Sequence, residues 1–180
     1  FYELLDREYR KCPKHDVTIV IGDSNVQVGQ EEEFRPVIGR FSAHQQTNEN
    51  GLRLIDFATS RNMAIRSTFF QHTSLYKYTW RSPNDTETQI DHVLIDGRHF
   101  SDIIDVRTYR GADIDLDHYL VVAKLRQRLS ESTRSSTVVR SGINWSDSRT
   151  MRSLPSTRGN SKLRCLTRVS SLKLLWRPAG

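Results

Sequence analysis

Cysteine and long apolar runs are scarce in this chain, and each shortage argues against a class of protein. Two cysteines, Cys12 and Cys165, lie far apart in a chain of 180 residues, which disfavours a disulfide framework and a cysteine-rich zinc site. No stretch approaches the ~18 consecutive apolar residues of a membrane span, and residues 1–12 lack the layout of a signal peptide. We therefore expect a protein of the nucleus or cytoplasm that is not secreted and does not enter a membrane.

Acidic residues are nearly absent from the C-terminal segment. Residues 130–180 contain 10 basic and 2 acidic side chains, a balance of +8, together with 12 serines. Residues 1–129 contain 17 basic and 19 acidic side chains, a balance of −2, so the net charge of +6 comes from this segment. Low hydrophobicity with an excess of one charge is typical of disorder. We expect residues 129–180 to be a disordered basic tail that either attracts phosphate backbones or is an incidental solubilising extension.

The apolar pattern of residues 1–128 predicts one domain of mixed helices and strands, of α+β or layered α/β class. An amphipathic helix is predicted over residues 3–11, and a second one from about Asn50 to Met63. Predicted strands cover residues 17–21, 64–67, 77–81, 90–95, 103–108 and 119–125. Residues 29–50 lack periodicity and predict a long loop, which in compact domains is often functional.

Two polar motifs stand at strand ends, where a rigid backbone can present them to a ligand. Asp23 and Asn25 follow the apolar run 17–21, and Asp117 directly precedes His118 at the start of another predicted strand. Each motif also has an ordinary structural interpretation, because Asp-x-Asn caps its own backbone in turns and an Asp-His pair can be a simple hydrogen bond. Neither motif alone predicts a reaction.

The order of four motifs along the chain is more informative than any one of them. These motifs are Ile21-Gly22-Asp23-Ser24-Asn25, Tyr78-Thr79-Trp80, Gln89-Ile90-Asp91-His92-Val93-Leu94-Ile95 and Asp117-His118. Together they resemble the endonuclease/exonuclease/phosphatase superfamily over residues 1–128. Residues 50–57, 79–83 and 110–113 are similar to the RTE-type endonucleases of LINE retrotransposons and to craniofacial development protein 2-like proteins.

The resemblance implies a four-layered α/β sandwich that hydrolyses a phosphodiester with a divalent cation, Mg²⁺ or Mn²⁺. The implied roles are catalysis for Asp23, Asn25, Asp91 and His118, cation binding for Asp23, Asn25 and Asp117, and substrate binding for Asn25, Thr79 and Trp80. In this scheme Asp23 activates or orients the attacking water, and His118 stabilises charge on the phosphorane while Asp117 orients it. Trp80 has a second interpretation as a core tryptophan.

This chain resembles the carboxy-terminal half of such a domain. The family draws an asparagine and a glutamate that hold the cation from the preceding half, so we expect weakened cation binding here. We also expect exposed apolar faces and strand edges, and a poorly stable monomer that aggregates or requires a partner. DNA is the expected ligand.

Three functional interpretations remain open at this point. The first is a retrotransposon-type DNA endonuclease, and the second is an inactive remnant that binds nucleic acid or another protein. The third keeps the fold and hydrolyses small phosphoesters, as related phosphatases do. The segments at residues 79–80 and 110–113 favour the retrotransposon branch.

Overall fold

A computed structural model describes residues 1–111, 117–126 and 163–167. The helices are α1 (Tyr2–Arg10) and α2 (Glu49–Ser60). The strands, in chain order, are β1 (Val17–Asp23), β2 (Met63–Ile65), β3 (Trp80–Arg81), β4 (Glu87–Thr88), β5 (Asp91–Asp96), β6 (Ile103–Tyr109), β7 (Leu120–Leu125) and β8 (Leu163–Thr167). Helices and antiparallel strands are mixed, which confirms the predicted α+β class.

A four-stranded sheet with the order β2-β5-β1-β8 forms the centre of the described structure. β1 and β5 pair antiparallel, with Ile19 opposite Ile95 and Asp23 opposite Asp91. β8 pairs parallel with β1 on its other side. The remaining strands form two ribbons, β3-β4 and β6-β7. Every residue of β5 is buried, as expected for a strand that is covered on both faces.

Each face of the central sheet has its own core, because successive side chains of a strand point to opposite faces. On one face, Val20 and Leu94 pack with buried side chains of α2 and of the loop that follows β1. On the other face, Ile19 and Ile95 pack with Val106 and other apolar side chains of the β6-β7 ribbon. The helices and this ribbon therefore lie on opposite sides of the sheet.

Residues at the start of α2 explain where the helix begins and which face it buries. The side-chain oxygen of Asn48 accepts a hydrogen bond from Gly51 N at 2.7 Å, an N-cap. Gly51 fits here because a Cβ at this position would lie 2.3 Å from Gln27 O. Leu54 is 1% exposed, whereas Leu52 on the opposite face is 40% exposed.

The strand predicted over residues 64–67 is wrong in its second half. β2 ends at Ile65, and a 3-10 turn covers Arg66–Thr68. The Arg66 guanidinium donates to Ile103 O at 2.6 Å and lies 3.9 Å from the Phe100 ring centroid. These long-range contacts hold the chain out of the sheet, and the local apolar pattern does not encode them.

The strand predicted over residues 77–81 is also shorter than expected. A 3-10 turn covers Ser74–Tyr76, and only Trp80–Arg81 pairs with β4. The predicted loop over residues 29–50 is confirmed up to α2. Within those described residues it contains one 3-10 turn, Glu32–Phe34, and no strand.

The prediction of a disordered basic tail over residues 129–180 falls mostly outside the described residues. Within that segment the structure describes β8 alone, and the rest of the prediction stays a prediction. Among the helices of the described ranges, none is long and apolar enough to cross a membrane.

Several large apolar side chains lie at the surface of the described structure. Phe1 is 52% exposed and Leu4 is 44% exposed. Both line a groove of about 260 Å³ between α1 and the end of β1. Leu75 and Ile104 are each 48% exposed elsewhere. Apolar surface of this kind favours association. The expected need for a partner stays a prediction, which measurements of stability and of oligomeric state can test.

Truncating Leu54 to alanine is expected to lower the free energy of unfolding by about 2–5 kcal/mol, because the substitution leaves a cavity in the core. Leu52→Ala on the same helix is the matched control, and it should change this free energy by less than about 0.5 kcal/mol. Urea titrations followed by circular dichroism measure both values. Equal effects of the two substitutions would contradict the burial of the Leu54 face.

Candidate functional site

The antiparallel pairing of β1 and β5 brings two aspartates to the same end of the central sheet. Asp23 is the last residue of β1, and Asp91, directly opposite, is the first residue of β5. The Asp91 side chain is 4% exposed and that of Asp23 is 41% exposed. One carboxylate is therefore embedded in the fold, and the other faces solvent.

Backbone hydrogen bonds on both sides of His118 hold this residue beside the aspartates. Arg81 N donates to Asp117 O at 2.9 Å, and Tyr119 N donates to Thr79 O at 2.8 Å. Both bonds join the segment that carries His118 to β3 and the residue before it. The position of the imidazole is therefore set by the backbone and not by its own side-chain contacts alone.

The ring of His118 contacts the two aspartates through different nitrogens. Its Nδ1 lies 3.1 Å from Asp91 Oδ2, and its Nε2 lies 3.9 Å from Asp23 Oδ2. Because an ionised carboxylate only accepts hydrogen bonds, Nδ1–H donates to Asp91 and leaves Nε2 directed at Asp23. The result is an oriented imidazole whose second nitrogen faces an exposed carboxylate.

Burial dominates the electrostatics of Asp91. It raises the pKa of this carboxyl group, and the charge of Asp23 acts in the same direction, while the Thr79 hydroxyl and the His118 ring oppose the shift. Asp91 Oδ1 is buried without a hydrogen-bond partner among the described residues. The contact with His118 therefore compensates part of the cost of placing a carboxylate in the interior.

Thr79 lies beneath the site. Its hydroxyl accepts hydrogen bonds from Ile90 N at 3.0 Å and from Asp91 N at 3.1 Å, which ties the residue before β3 to the start of β5. The residue is 2% exposed. In this structure Thr79 supports the backbone around Asp91 and does not present its hydroxyl at the surface.

Trp80 and Asp117 form a second polar contact at the edge of the site. The indole Nε1–H of Trp80 donates to Asp117 Oδ2 at 2.9 Å and holds the pKa of that carboxyl group below its usual value. The Trp80 ring is half-buried, with its centroid 6.5 Å from that of His118. The bond to His118 that the resemblance assigns to Asp117 is made by Asp91, because the Asp117 carboxylate contacts the indole.

Asp23 and Asn25 form the turn that the sequence also allowed. Asn25 has a left-handed backbone, with φ of 50°, and its N–H donates to Asp23 Oδ1 at 2.9 Å. The asparagine side chain tolerates this conformation better than most. The turn occupies one oxygen of Asp23 and leaves Oδ2 on the side of His118.

The described residues do not build a complete cation site. Within residues 1–111, 117–126 and 163–167 there is no group of three or more His, Cys, Asp or Glu side chains placed to hold a metal ion. Asp23 and Asn25 supply oxygen atoms of the type that Mg²⁺ prefers, but Mg²⁺ requires a near-octahedral set of six. The third ligand implied by the resemblance, Asp117, is bound to Trp80.

His92 neighbours Asp91 in the sequence but points to the opposite face of β5. Its Nδ1 lies 2.9 Å from Ser67 Oγ, and its Nε2 lies 3.3 Å from Val26 O. Because a carbonyl only accepts, Nε2 carries the proton and Nδ1 accepts from the serine hydroxyl. Complete burial lowers the pKa of His92 to about 4. This histidine is a neutral core residue.

One cluster near His118 contains none of the residues predicted from the sequence. Glu87 in β4 accepts hydrogen bonds from Arg110 and from the hydroxyl of Tyr119. A signal was present, because Tyr119 directly follows His118 and Arg110 begins the segment 110–113. Glu87, which lies far from both in the sequence, had no such signal.

The described residues thus define a mixed α+β domain with an Asp-His-Asp cluster at one end of its central sheet. No family model matches the chain. The chain is homologous to craniofacial development protein 2 of Tragulus javanicus, with 37% identity over 163 residues, and of Bos taurus, with 40% identity over 130 residues. These matches cover 90% and 72% of this chain. The chain spans 28% and 22% of the length of these two relatives.

The match to the Tragulus protein also bears on the basic segment. Because it covers 90% of a chain of 180 residues, it extends past residue 128 whichever end it starts from. Part of the basic segment therefore lies within the matched region.

The buried state of His92 predicts a loss of stability in mild acid. Its pKa falls from 6.5 in the unfolded chain to about 4 in the folded chain, so the unfolded state binds more protons between these two pH values. The free energy of unfolding should therefore decrease as the pH falls from 6.5 to 4, with a contribution of about 3 kcal/mol from this residue. Urea titrations across this range measure the slope.

His92→Gln should start from a lower stability at pH 7 and show a smaller decrease over the same range. His15→Gln is the control, because the side chain of His15 is 85% exposed, and it should keep the slope of the original chain. Identical slopes for all three proteins would show that His92 does not titrate in this window.

Proposed function

We propose that this chain carries a phosphodiester-hydrolysing site of the endonuclease/exonuclease/phosphatase type, related by descent to the DNA endonucleases of RTE/LINE-type retrotransposons. The observation that supports it most directly is the oriented imidazole, with Nδ1 of His118 on Asp91 and Nε2 at 3.9 Å from Asp23. These three residues come from three of the four motifs that carry the resemblance. The proposal includes the four-layered sandwich of that family as the fold of the complete domain.

Each of the three side chains has a distinct task in the proposed reaction. A water molecule beside Asp23 attacks the phosphorus atom, and the Asp23 carboxylate accepts its proton. The P–O bond to the leaving group breaks, and the leaving oxygen takes a proton from solvent. His118 donates a hydrogen bond from Nε2 to a non-bridging oxygen, where negative charge accumulates. Asp91 fixes the ring orientation and stabilises the positive charge of the imidazolium. A protonated His118 is the form that can donate from both nitrogens.

We propose Mg²⁺ or Mn²⁺ as the cofactor, with Asp23, Asn25 and Asp117 as ligands. When bound, such a cation would neutralise charge on the phosphate. Its remaining oxygen ligands would have to come from outside the described residues, since Asp117 contacts Trp80 here and Asp23 Oδ1 accepts from Asn25 N. Weak cation binding by this chain alone is therefore part of the proposal.

DNA is the proposed substrate, with Trp80 and Asn25 nearest to it and Thr79 beneath them as a supporting residue. Trp80 is half-buried beside His118, so one part of its ring is accessible. Thr79 would act through the backbone that it supports. The basic segment would add non-specific attraction to phosphates through its balance of +8 over residues 130–180. A nuclear or cytoplasmic location follows from this substrate as an expectation.

A second function, nucleic-acid binding without cleavage, is favoured by a different observation. The described residues contain no group of three or more His, Cys, Asp or Glu side chains placed to hold a metal ion, and the carboxylate of Asp117 is bound to Trp80. A domain with this composition can keep the electrostatic attraction to DNA while it lacks the cation that the reaction requires. Binding by such a remnant would depend on the basic segment and not on His118.

Nicking of supercoiled plasmid in the presence of Mg²⁺ tests the two functions. If the chain hydrolyses DNA, His118→Ala should slow the formation of nicked circles by about 10²–10⁴-fold, because it removes the group that acts on the phosphate oxygens. EDTA should abolish nicking in the original chain. His15→Ala, a substitution of an exposed histidine, is the matched control and should leave the rate unchanged.

Absence of nicking at a Mg²⁺ concentration high enough to fill a weak site, by a protein with a cooperative unfolding transition, would reject the hydrolase and leave the binding function. The binding function makes its own prediction. Neutralising the basic segment by glutamine at Arg134, Arg140, Arg149, Arg152 and Arg158 should weaken DNA binding in gel-shift assays and reduce its salt dependence. Unchanged binding after this substitution would contradict a role for the segment.

A further inference from the structure

Glu87 joins two residues that flank the segment carrying Asp117 and His118. Its carboxylate accepts hydrogen bonds from Arg110 Nη1 at 2.5 Å and from Arg110 Nη2 at 2.9 Å. It also accepts one from the Tyr119 hydroxyl at 2.9 Å. The Arg110 guanidinium lies 4.4 Å from the centroid of the Tyr119 ring. Arg110 precedes the segment and Tyr119 directly follows His118, so one carboxylate holds both flanks.

This cluster is more than an isolated surface ion pair. The side chains of Glu87 and Arg110 are each 25% exposed, and the bidentate geometry is the strong form of an arginine–carboxylate contact. The hydrogen bonds from Arg110 lower the pKa of Glu87, so the carboxylate stays ionised over the neutral range. Stacking of the guanidinium on the ring adds a cation–π contact.

The effect of the cluster reaches His118 through short backbone connections. Tyr119 N donates to Thr79 O at 2.8 Å, and the Thr79 side chain bonds the backbone of Asp91. The hydroxyl contact with Glu87 therefore fixes the residue after His118 at both its backbone and its side chain. Without Glu87, Tyr119 would keep its backbone bond and its contacts with Arg110. Arg110 would lose its bidentate partner and keep its bond to Leu75 O.

We propose that Glu87 is a positioning residue for His118, which it keeps on Asp91 by holding Arg110 and Tyr119. Its consequence for hydrolysis rests on the proposed function, whereas the placement of the ring does not. Glu87 touches neither His118 nor Asp91, so it acts through the chain that it holds. The hydrogen bond from His118 Nδ1 to Asp91 reports this action directly.

Proton NMR of the imidazole groups tests the proposal. In the original chain, the Nδ1–H of His118 should give a downfield, slowly exchanging signal, assigned by its loss in His118→Ala. Glu87→Ala should abolish or strongly broaden this signal while the far-UV circular dichroism stays unchanged. Glu32→Ala is the matched control, because Glu32 also pairs with an arginine, Arg35, at 2.8 Å, and it should leave the signal intact.

A folded Glu87→Ala protein that keeps the signal of the original chain would overturn the proposal. If Glu87→Ala fails to fold, Tyr119→Phe decides, because it removes only the hydroxyl. A weakened signal in Tyr119→Phe supports positioning through Tyr119, and an unchanged one rejects it. Absence of the signal in the original chain would also reject the proposal.

Nicking assays separate this inference from the function on which its consequence rests. If the chain cleaves DNA, Glu87→Ala should slow nicking on the order of tenfold, as loss of a supporting contact does in other sites. If Glu87→Ala loses the NMR signal and the original chain never nicks DNA, the positioning role is retained and hydrolysis is rejected. If Glu87→Ala retains the signal and the original chain nicks DNA, only the positioning role is rejected.

Discussion

β1 and β5 pair with Asp23 opposite Asp91, and this register governs both the core and the site. Because side chains alternate along a strand, a slip of one residue would move each apolar side chain to the wrong face. Val20 and Leu94 would leave the side of the helices, and Ile19 and Ile95 would leave the side of the β6-β7 ribbon. The same slip would separate the two aspartates. Packing energy thus enforces the alignment that the site requires.

The relation between Asp91 and His118 is reciprocal. A carboxylate buried at the start of a central strand is unfavourable unless a donor compensates it, and the Nδ1–H of His118 is such a donor. In return, the imidazole has one preferred orientation because Asp91 is held rigidly by the strand. Asp23 differs because it lies at the end of β1 and is largely solvated. Two aspartates that face each other across a sheet therefore have different environments, which suits different tasks.

Local patterns in the sequence predicted the secondary-structure elements better than they predicted which side chains contact each other. The apolar runs located β1, β5, β6 and β7 to within a few residues, because a strand buried on both faces has a continuous apolar run and a strand buried on one face has an alternating one. The end of β2 was predicted wrongly, because it depends on contacts of Arg66 with residues more than thirty positions away.

The same distinction applies to the site. Asp23, Asp91 and His118 could be chosen from motif order, and the structure brings them together. The partner of Asp117 could not be predicted, because adjacency to a histidine in the sequence does not determine where the aspartate side chain points. It contacts Trp80, and Asp91 takes the place beside the ring. The role of Glu87 could not be predicted either, because its partners Arg110 and Tyr119 are distant from it in the sequence.

The order of strands in the central sheet has a consequence for how the chain folds. Ile19 pairs with Ile95, which lies 76 positions later, whereas β2 follows α2 directly and packs against it. Contacts between distant residues require closure of a long loop before they contribute any stability, and they form slowly. The helix and its neighbouring strand can form early, but the two aspartates meet only when the long loop between β1 and β5 has closed. The site is therefore a product of a long-range step in folding and not of local structure.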